Sequence, residues 1–170
     1  MKKTLFMALM FASVATITRA QETGSMQTDE AYVSYVQTVK ASAEKGLATA
    51  QYTLAGCYYT GRGVAQDYKA AVKWYEKAAK QGVTDAQYDL AVCYYKGIGT
   101  KEQLEKAVYW FRKAAEGGSI YAQYQLGVCY YNGRGTERDE GMALNWLNKA
   151  ASAGSTAAIN ALNTIAEDHH

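Results

Sequence analysis

The chain has no proline and only two histidines. Without proline, every helix has to be ended by something else, and 15 glycines are there to do it. The histidines, His169 and His170, are the last two residues. A Ser–His–Asp or Cys–His centre needs an imidazole held beside a nucleophile, which a frayed terminal pair does not supply. Weak metal binding by that tail is the remaining use for it. There is no strong charge of one sign: 18 Lys and Arg face 16 Asp and Glu. Lys2, Lys3 and Arg19 lie in the first 20 residues, and without them 15 basic residues face 16 acidic ones. A nearly neutral body offers no electrostatic footprint for nucleic acid. The longest apolar run, from Leu5 to about Ile17, is shorter than the roughly 20 residues of a membrane-spanning helix.

That run follows Lys2 and Lys3 and is itself followed by small residues. Residues 1–20 therefore read as a secretory signal peptide, cleaved after Ala20 or after Ala15. The first cysteine is Cys57, too far on for a lipoprotein attachment site. Residues 21–30 are polar and read as a flexible linker. The expected localisation is periplasmic or secreted, with no stable membrane insertion after cleavage.

The rest of the chain is one sentence written three times. From Ala50, Ala86 and Ala122 it runs AQYTLAGCYYTGRGV, AQYDLAVCYYKGIGT and AQYQLGVCYYNGRGT, at a period of 36 residues without insertion. The second halves carry AVKWYEKAAKQG, AVYWFRKAAEGG and ALNWLNKAASAG. Such a period predicts stacked supersecondary units that bury their apolar faces on one another. In the first half, Ala50, Leu54, Cys57 and Tyr58 fall on one helical stripe, ended by Gly61 and Gly63. In the second half, Tyr68, Ala71, Trp74, Tyr75, Ala78 and Ala79 form a stripe opposite a lysine-rich face. Asp67 and Asp139 stand where an N-cap belongs, and Gln103 does not serve there. The expected organisation is a solenoid over 31–167, made of a half-repeat 31–49, repeats 50–85, 86–121 and 122–157, and a capping helix 156–167. Residues 168–170 form a tail.

The pattern A-x-x-x-L-[GA]-x-x-Y-x-x-G-x-G-V, followed by D-x-x-K-A-x-x-W-Y-x-K-A-A-x-x-G, resembles the Sel-one-like repeat, a branch of the tetratricopeptide superfamily. The departures are mild: Thr100 and Thr136 replace the loop valine, Gln103 the aspartate, and Leu147 the second aromatic. The resemblance implies an all-α fold, a right-handed superhelix of antiparallel helix pairs, and a role in binding other proteins. A cysteine-rich branch of the family pairs two cysteines per repeat and resembles penicillin-binding enzymes. Here Ala78 and Ala79 stand where the partner cysteines would be, so that hydrolase reading does not carry over.

Cys57, Cys93 and Cys129 occupy one place per repeat. Equivalent positions on neighbouring helices lie about 8–10 Å apart, beyond the roughly 7 Å between alpha carbons that a disulfide spans. They read as small buried hydrophobes. The Gly-x-Gly loops follow a helix, and no Walker lysine follows them, so they read as helix terminators and not as phosphate cradles. Trp74, Trp110 and Trp146 read as core pins. Tyr52, Tyr59, Tyr88, Tyr95, Tyr124 and Tyr131 turn about 180–200° away from the first-helix core stripe, with Val92 and Val128 beside them. They either pack between repeats or line a partner-binding groove on the hollow of the arc, since tyrosine offers contact area and a hydroxyl at low entropic cost. The expected function is a monomeric, exported binding module for a protein or peptide. It is non-catalytic and uses no cofactor and no metal. A self-assembling structural solenoid is the alternative.

Overall fold

The computed structural model describes residues 30–167. The signal-peptide reading, the linker up to residue 29, and the tail with His169 and His170 lie outside these residues. Among the described residues there are eight helices and no strand. They are α1 (30–44), α2 (Ala48–Thr60), α3 (Tyr68–Lys80), α4 (Thr84–Lys96), α5 (Leu104–Glu116), α6 (Ile120–Asn132), α7 (Glu140–Ser152) and α8 (Thr156–Glu167). The pairs α2–α3, α4–α5 and α6–α7 are the repeats. Each second helix also packs on the first helix of the next unit, so the fold is an α-solenoid.

The glycines punctuate the chain as the missing prolines require. Gly61, Gly97 and Gly133 close α2, α4 and α6 in the left-handed conformation, and their N–H groups return to the carbonyls of Cys57, Cys93 and Cys129. The second loop glycine has a different task. Gly99 (φ 69°) lies so close to the carbonyl of Tyr68 that a side chain there would strike it. The loop is thus pressed onto the start of the preceding second helix. Asp67 caps α3 by accepting from the Ala70 N–H at 3.0 Å, and Asp139 caps α7 from Met142 at 2.8 Å. Gln103 makes no such bond.

The core runs as a column of small residues. Leu54, Leu90 and Leu126 are fully buried, as are Ala71, Ala107 and Ala143 on the facing helices. The three thiols are buried and unpaired. Burial pushes Cys93 up to about 12 and Cys129 to about 11, so these sulfurs pack as apolar groups.

Two expectations about the second helix need correction. The deepest residues are not the tryptophans but the residues that follow them, Tyr75, Phe111 and Leu147. Trp74 and Trp110 are half-buried, and only Trp146 enters the core. Adjacent residues sit 100° apart on a helix, so where one points straight at the centre the other lies toward the flank of the buried stripe. Trp74 lies at the edge, where Lys77 covers it at 3.8 Å; the buried ring of Trp146 has Lys149 at 4.2 Å. Tyr68 is exposed as well and is not part of the buried stripe.

A recurring glutamine stitches the repeats together. Gln51, Gln87 and Gln123 donate from Nε2 to the carbonyls of Ala43, Ala79 and Ala115 at 3.2, 3.2 and 3.3 Å. Each bond adds a second donor to a last-turn carbonyl of the preceding helix, which already accepts the N–H of Gly46, Gly82 or Gly118, and so ties that helix end to the next unit.

Candidate partner-binding face

The six candidate tyrosines sit seven residues apart in pairs on α2, α4 and α6, which puts each pair on one face two turns apart. All six are half-buried, as are Val92 and Val128. Each pair straddles the buried residue of its own second helix. Tyr52 and Tyr59 flank Tyr75 at ring centroid distances of 5.9 and 6.5 Å. Tyr88 and Tyr95 flank Phe111 at 5.9 and 6.1 Å. Tyr124 and Tyr131 pack on the cluster built around Leu147. Each ring is thus packed on one side and accessible over the remainder.

The three pairs differ in what surrounds them. Tyr95 is covered by Arg134, whose guanidinium lies 4.2 Å from the ring centre and donates to the Tyr95 hydroxyl at 2.8 Å. Arg134 also reaches Glu102 at 3.5 Å. Tyr131 has Arg138 at 5.3 Å from its ring. Tyr59 meets Tyr68 edge-on at 5.2 Å. Tyr52 alone among the six bonds a carboxylate: its hydroxyl donates to Oδ2 of Asp89 at 3.1 Å, across the gap between α2 and α4.

Asp89 is the residue that sequence reasoning passed over. Its equivalents are Thr53 and Gln125, so no repeated pattern marks the position. Burial raises its carboxyl above the usual range, the Tyr52 hydrogen bond works against that shift, and Asp85 one turn away adds to it. Desolvation, then the charge of Asp89, raises the phenols of Tyr52 and Tyr75 well above the usual tyrosine range. The same two causes lead for Tyr88.

Two hollows adjoin the face toward the C-terminal end. One, of about 400 Å³, lies between Tyr88, Tyr121, Tyr124 and Gln125 and the start of α8 at Thr156 and Ala157. Tyr121 stands at its rim, 73% exposed and 6.0 Å from Tyr88. The other, of about 260 Å³ and more apolar, is bounded by Val128, Tyr131 and Leu147 on one side and Ala161, Thr164 and Ile165 of α8 on the other. Tyr121 also escaped the sequence reading, because its place in the other repeats is held by Thr49 and Asp85. No helix among the described residues is long and apolar enough to cross a membrane, and none of their His, Cys, Asp and Glu side chains cluster as a metal site.

Comparison with known proteins adds relatives to this geometry. The Sel1 repeat family matches residues 48–83, 84–119 and 120–155. A protective antigen present in uropathogenic Escherichia coli strains, displaying an SLR fold, is 42% identical over 75% of this chain and 27% of its own, with a TM-score of 0.73. A Sel1 repeat protein from Oxalobacter formigenes is 34% identical over 72% of this chain and 51% of its own, with a TM-score of 0.70. The chain thus spans about a quarter of the first and half of the second. Helicobacter pylori cysteine rich protein B, 22% identical over 74% of this chain and 95% of its own with a TM-score of 0.58, shares the fold. Among curated proteins, none matches.

Proposed function

The chain belongs to the Sel1 repeat family, and from that premise we propose that it is an exported adaptor which holds a segment of another polypeptide along the tyrosine face of α2, α4 and α6. Sel1 repeat proteins generally act in protein–protein interaction. One observation carries the placement: six tyrosines, two per repeat, each fixed on one side by the buried residue beneath and open on the other. Rigid, half-exposed aromatics give binding area at little entropic cost. Val92 and Val128 supply apolar contact between the pairs. Export rests on the pattern of residues 1–20 and is supported by the uropathogenic relative, which is described as a protective antigen.

The adaptor works by binding and not by catalysis. Its three thiols are buried, with pKa values raised by desolvation, so no thiolate is presented to a substrate. It is a monomer. On α8, Asn160 and Asn163 occupy the places where α2 presents Tyr52 and Ala55 to its partner helix, and with Glu167 they are exposed. A polar face at that end closes the array to a further copy.

The test replaces Tyr59, Tyr95 and Tyr131 by Ala, confirms helix content by circular dichroism, and measures capture of envelope proteins from the cell of origin. The expected outcome is loss of the specific partner with the fold intact. Unchanged capture puts recognition on the lysine-bearing second helices instead. A mass in light scattering that rises with concentration overturns the monomer.

A further inference from the structure

The tyrosine face is not electrically uniform. Toward α6 its rings carry cations of the chain itself, Arg134 on Tyr95 and Arg138 on Tyr131. Around Asp89 they do not. Among the described residues, no arginine or lysine lies over Tyr52, Tyr59, Tyr75 or Tyr88, and none pairs with Asp89. The carboxylate instead has the Tyr52 hydroxyl at 3.1 Å and Asp85 one turn before it on α4.

We propose that Asp89, with the open rings of Tyr52, Tyr59 and Tyr88, is the seat for a lysine or arginine side chain of the bound polypeptide. The proposal rests on the tyrosine face being the recognition surface, and it specifies the chemistry of what binds there. A half-buried carboxylate without a counter-charge costs folding energy that a neutral residue avoids; the neighbouring repeats carry Thr53 and Gln125 at the same place. A partner's cation recovers that cost, because it pairs with Asp89 while lying against electron-rich ring faces. Tyr75 forms the floor, and its phenol is raised first by burial and then by the Asp89 charge, which places the negative potential over the same patch. Farther along, Arg134 pairs with Glu102 and Arg138 with Glu140, whereas Asp89 and its neighbour Asp85 have no ion pair among the described residues, so the charge left on this part of the face is negative.

The probe is an acetylated and amidated heptapeptide of glycine and serine with a central arginine, beside counterparts with central citrulline or glutamate. Each is titrated into the full chain carrying ring-labelled tyrosine and read by NMR. The arginine peptide should shift the rings of Tyr52, Tyr59 and Tyr88 saturably, and the citrulline peptide should bind about tenfold more weakly, the scale of one desolvated cation–π and ion-pair contact. Asp89→Asn should weaken the arginine peptide by about the same factor and leave the citrulline peptide unchanged. Asp89→Gln, which copies the next repeat, should do likewise and stands in should the asparagine variant fail to fold. Equal affinities for arginine and citrulline, or unchanged arginine affinity in either variant, overturn this proposal alone. Shifts confined to the second-helix face overturn the tyrosine-face reading with it. N-acetylarginine amide binding as tightly as the peptide overturns the polypeptide source.

Discussion

The first and third repeats share a backbone plan and differ in how well their side chains complete it. In the first, Gln51 bonds the Ala43 carbonyl and its own Oε1 accepts from Nε2 of Gln81 at 2.7 Å. In the third, Gln123 makes the equivalent carbonyl bond, but Ala153 stands where Gln81 does, and Oε1 of Gln123 is buried without a partner. The third repeat also buries the indole N–H of Trp146 unpaired. Its pin is Leu147 against Gly127, where the first repeat sets Tyr75 against Ala55. A period copied in sequence thus fixes where the helices lie, while each repeat settles its own packing and polar pairing.

The largest effects come from the pins. Tyr75→Ala and Trp146→Ala should each lose about 3–5 kcal/mol, the usual range for truncating a buried aromatic. Trp74→Ala, at the same register as Trp146 but half-buried, should lose only about 1–2 kcal/mol for its smaller buried area. Urea denaturation of the three variants measures this, and equal losses at Trp74 and Trp146 would erase the contrast between the repeats.

Next comes the small residue opposite the pin. A methyl group at Gly127 would sit 2.7 Å from Cγ of Leu147 and 3.1 Å from the Ala143 carbonyl. Gly127→Ala should therefore cost about 1–3 kcal/mol despite the better helix propensity of alanine. Adding Leu147→Phe recreates the Ala91–Phe111 pair of the middle repeat and should recover more than half of that loss. A double-mutant cycle reads the coupling, and additive costs would show that the two positions do not compensate each other.

A smaller effect, of opposite sign, follows from the orphaned amide. Gln81 has φ −87° and ψ 4°, and Ala153 has φ −87° and ψ 7°. The backbone already holds the conformation from which Gln81 reaches its partner. Ala153→Gln should supply the missing donor to Gln123 and gain about 0.5–1.5 kcal/mol. Thermal or urea melting checks it, and no gain would mean that solvent already serves Oε1 of Gln123.

Much of this architecture was legible because it was repeated. The period, the glycine stops at Gly61, Gly97 and Gly133, and the caps at Asp67 and Asp139 all recur at fixed offsets and depend on local backbone chemistry. The choice between Trp74 and Tyr75 as the pin was not legible, since a stripe defined by periodicity is about as wide as the step between neighbouring residues. Nor were the roles of Gln51 and its counterparts, which depend on the end of another helix bringing a carbonyl eight residues back within reach. At the candidate face, the six tyrosines followed from the wheel. Their division into covered and uncovered rings depends on which unit contributes an arginine, and that belongs to the stacking. Asp89 was hidden for the opposite reason: it departs from the repeat, and departures look like drift until the fold shows what surrounds them.

Asp89 gives the subtlest test of that difference, because its cost depends on pH. Its carboxyl is raised in the folded protein, chiefly by burial, so the folded state holds the proton more tightly than the unfolded chain does. Below the ordinary aspartate value of about 4, both states are protonated and the residue costs nothing through its charge. As pH rises through the elevated folded value, the native state has to carry a desolvated carboxylate, and stability falls relative to a neutral residue. Asp89→Asn keeps an acceptor for the Tyr52 hydroxyl and removes the charge. Its melting temperature should therefore exceed that of the unaltered protein near pH 7, and the two should converge toward pH 3. A variant equally or less stable at neutral pH would mean that Asp89 is already compensated within the chain. The face would then have no unpaired charge to offer, and the first and second units would differ there in composition but not in energy.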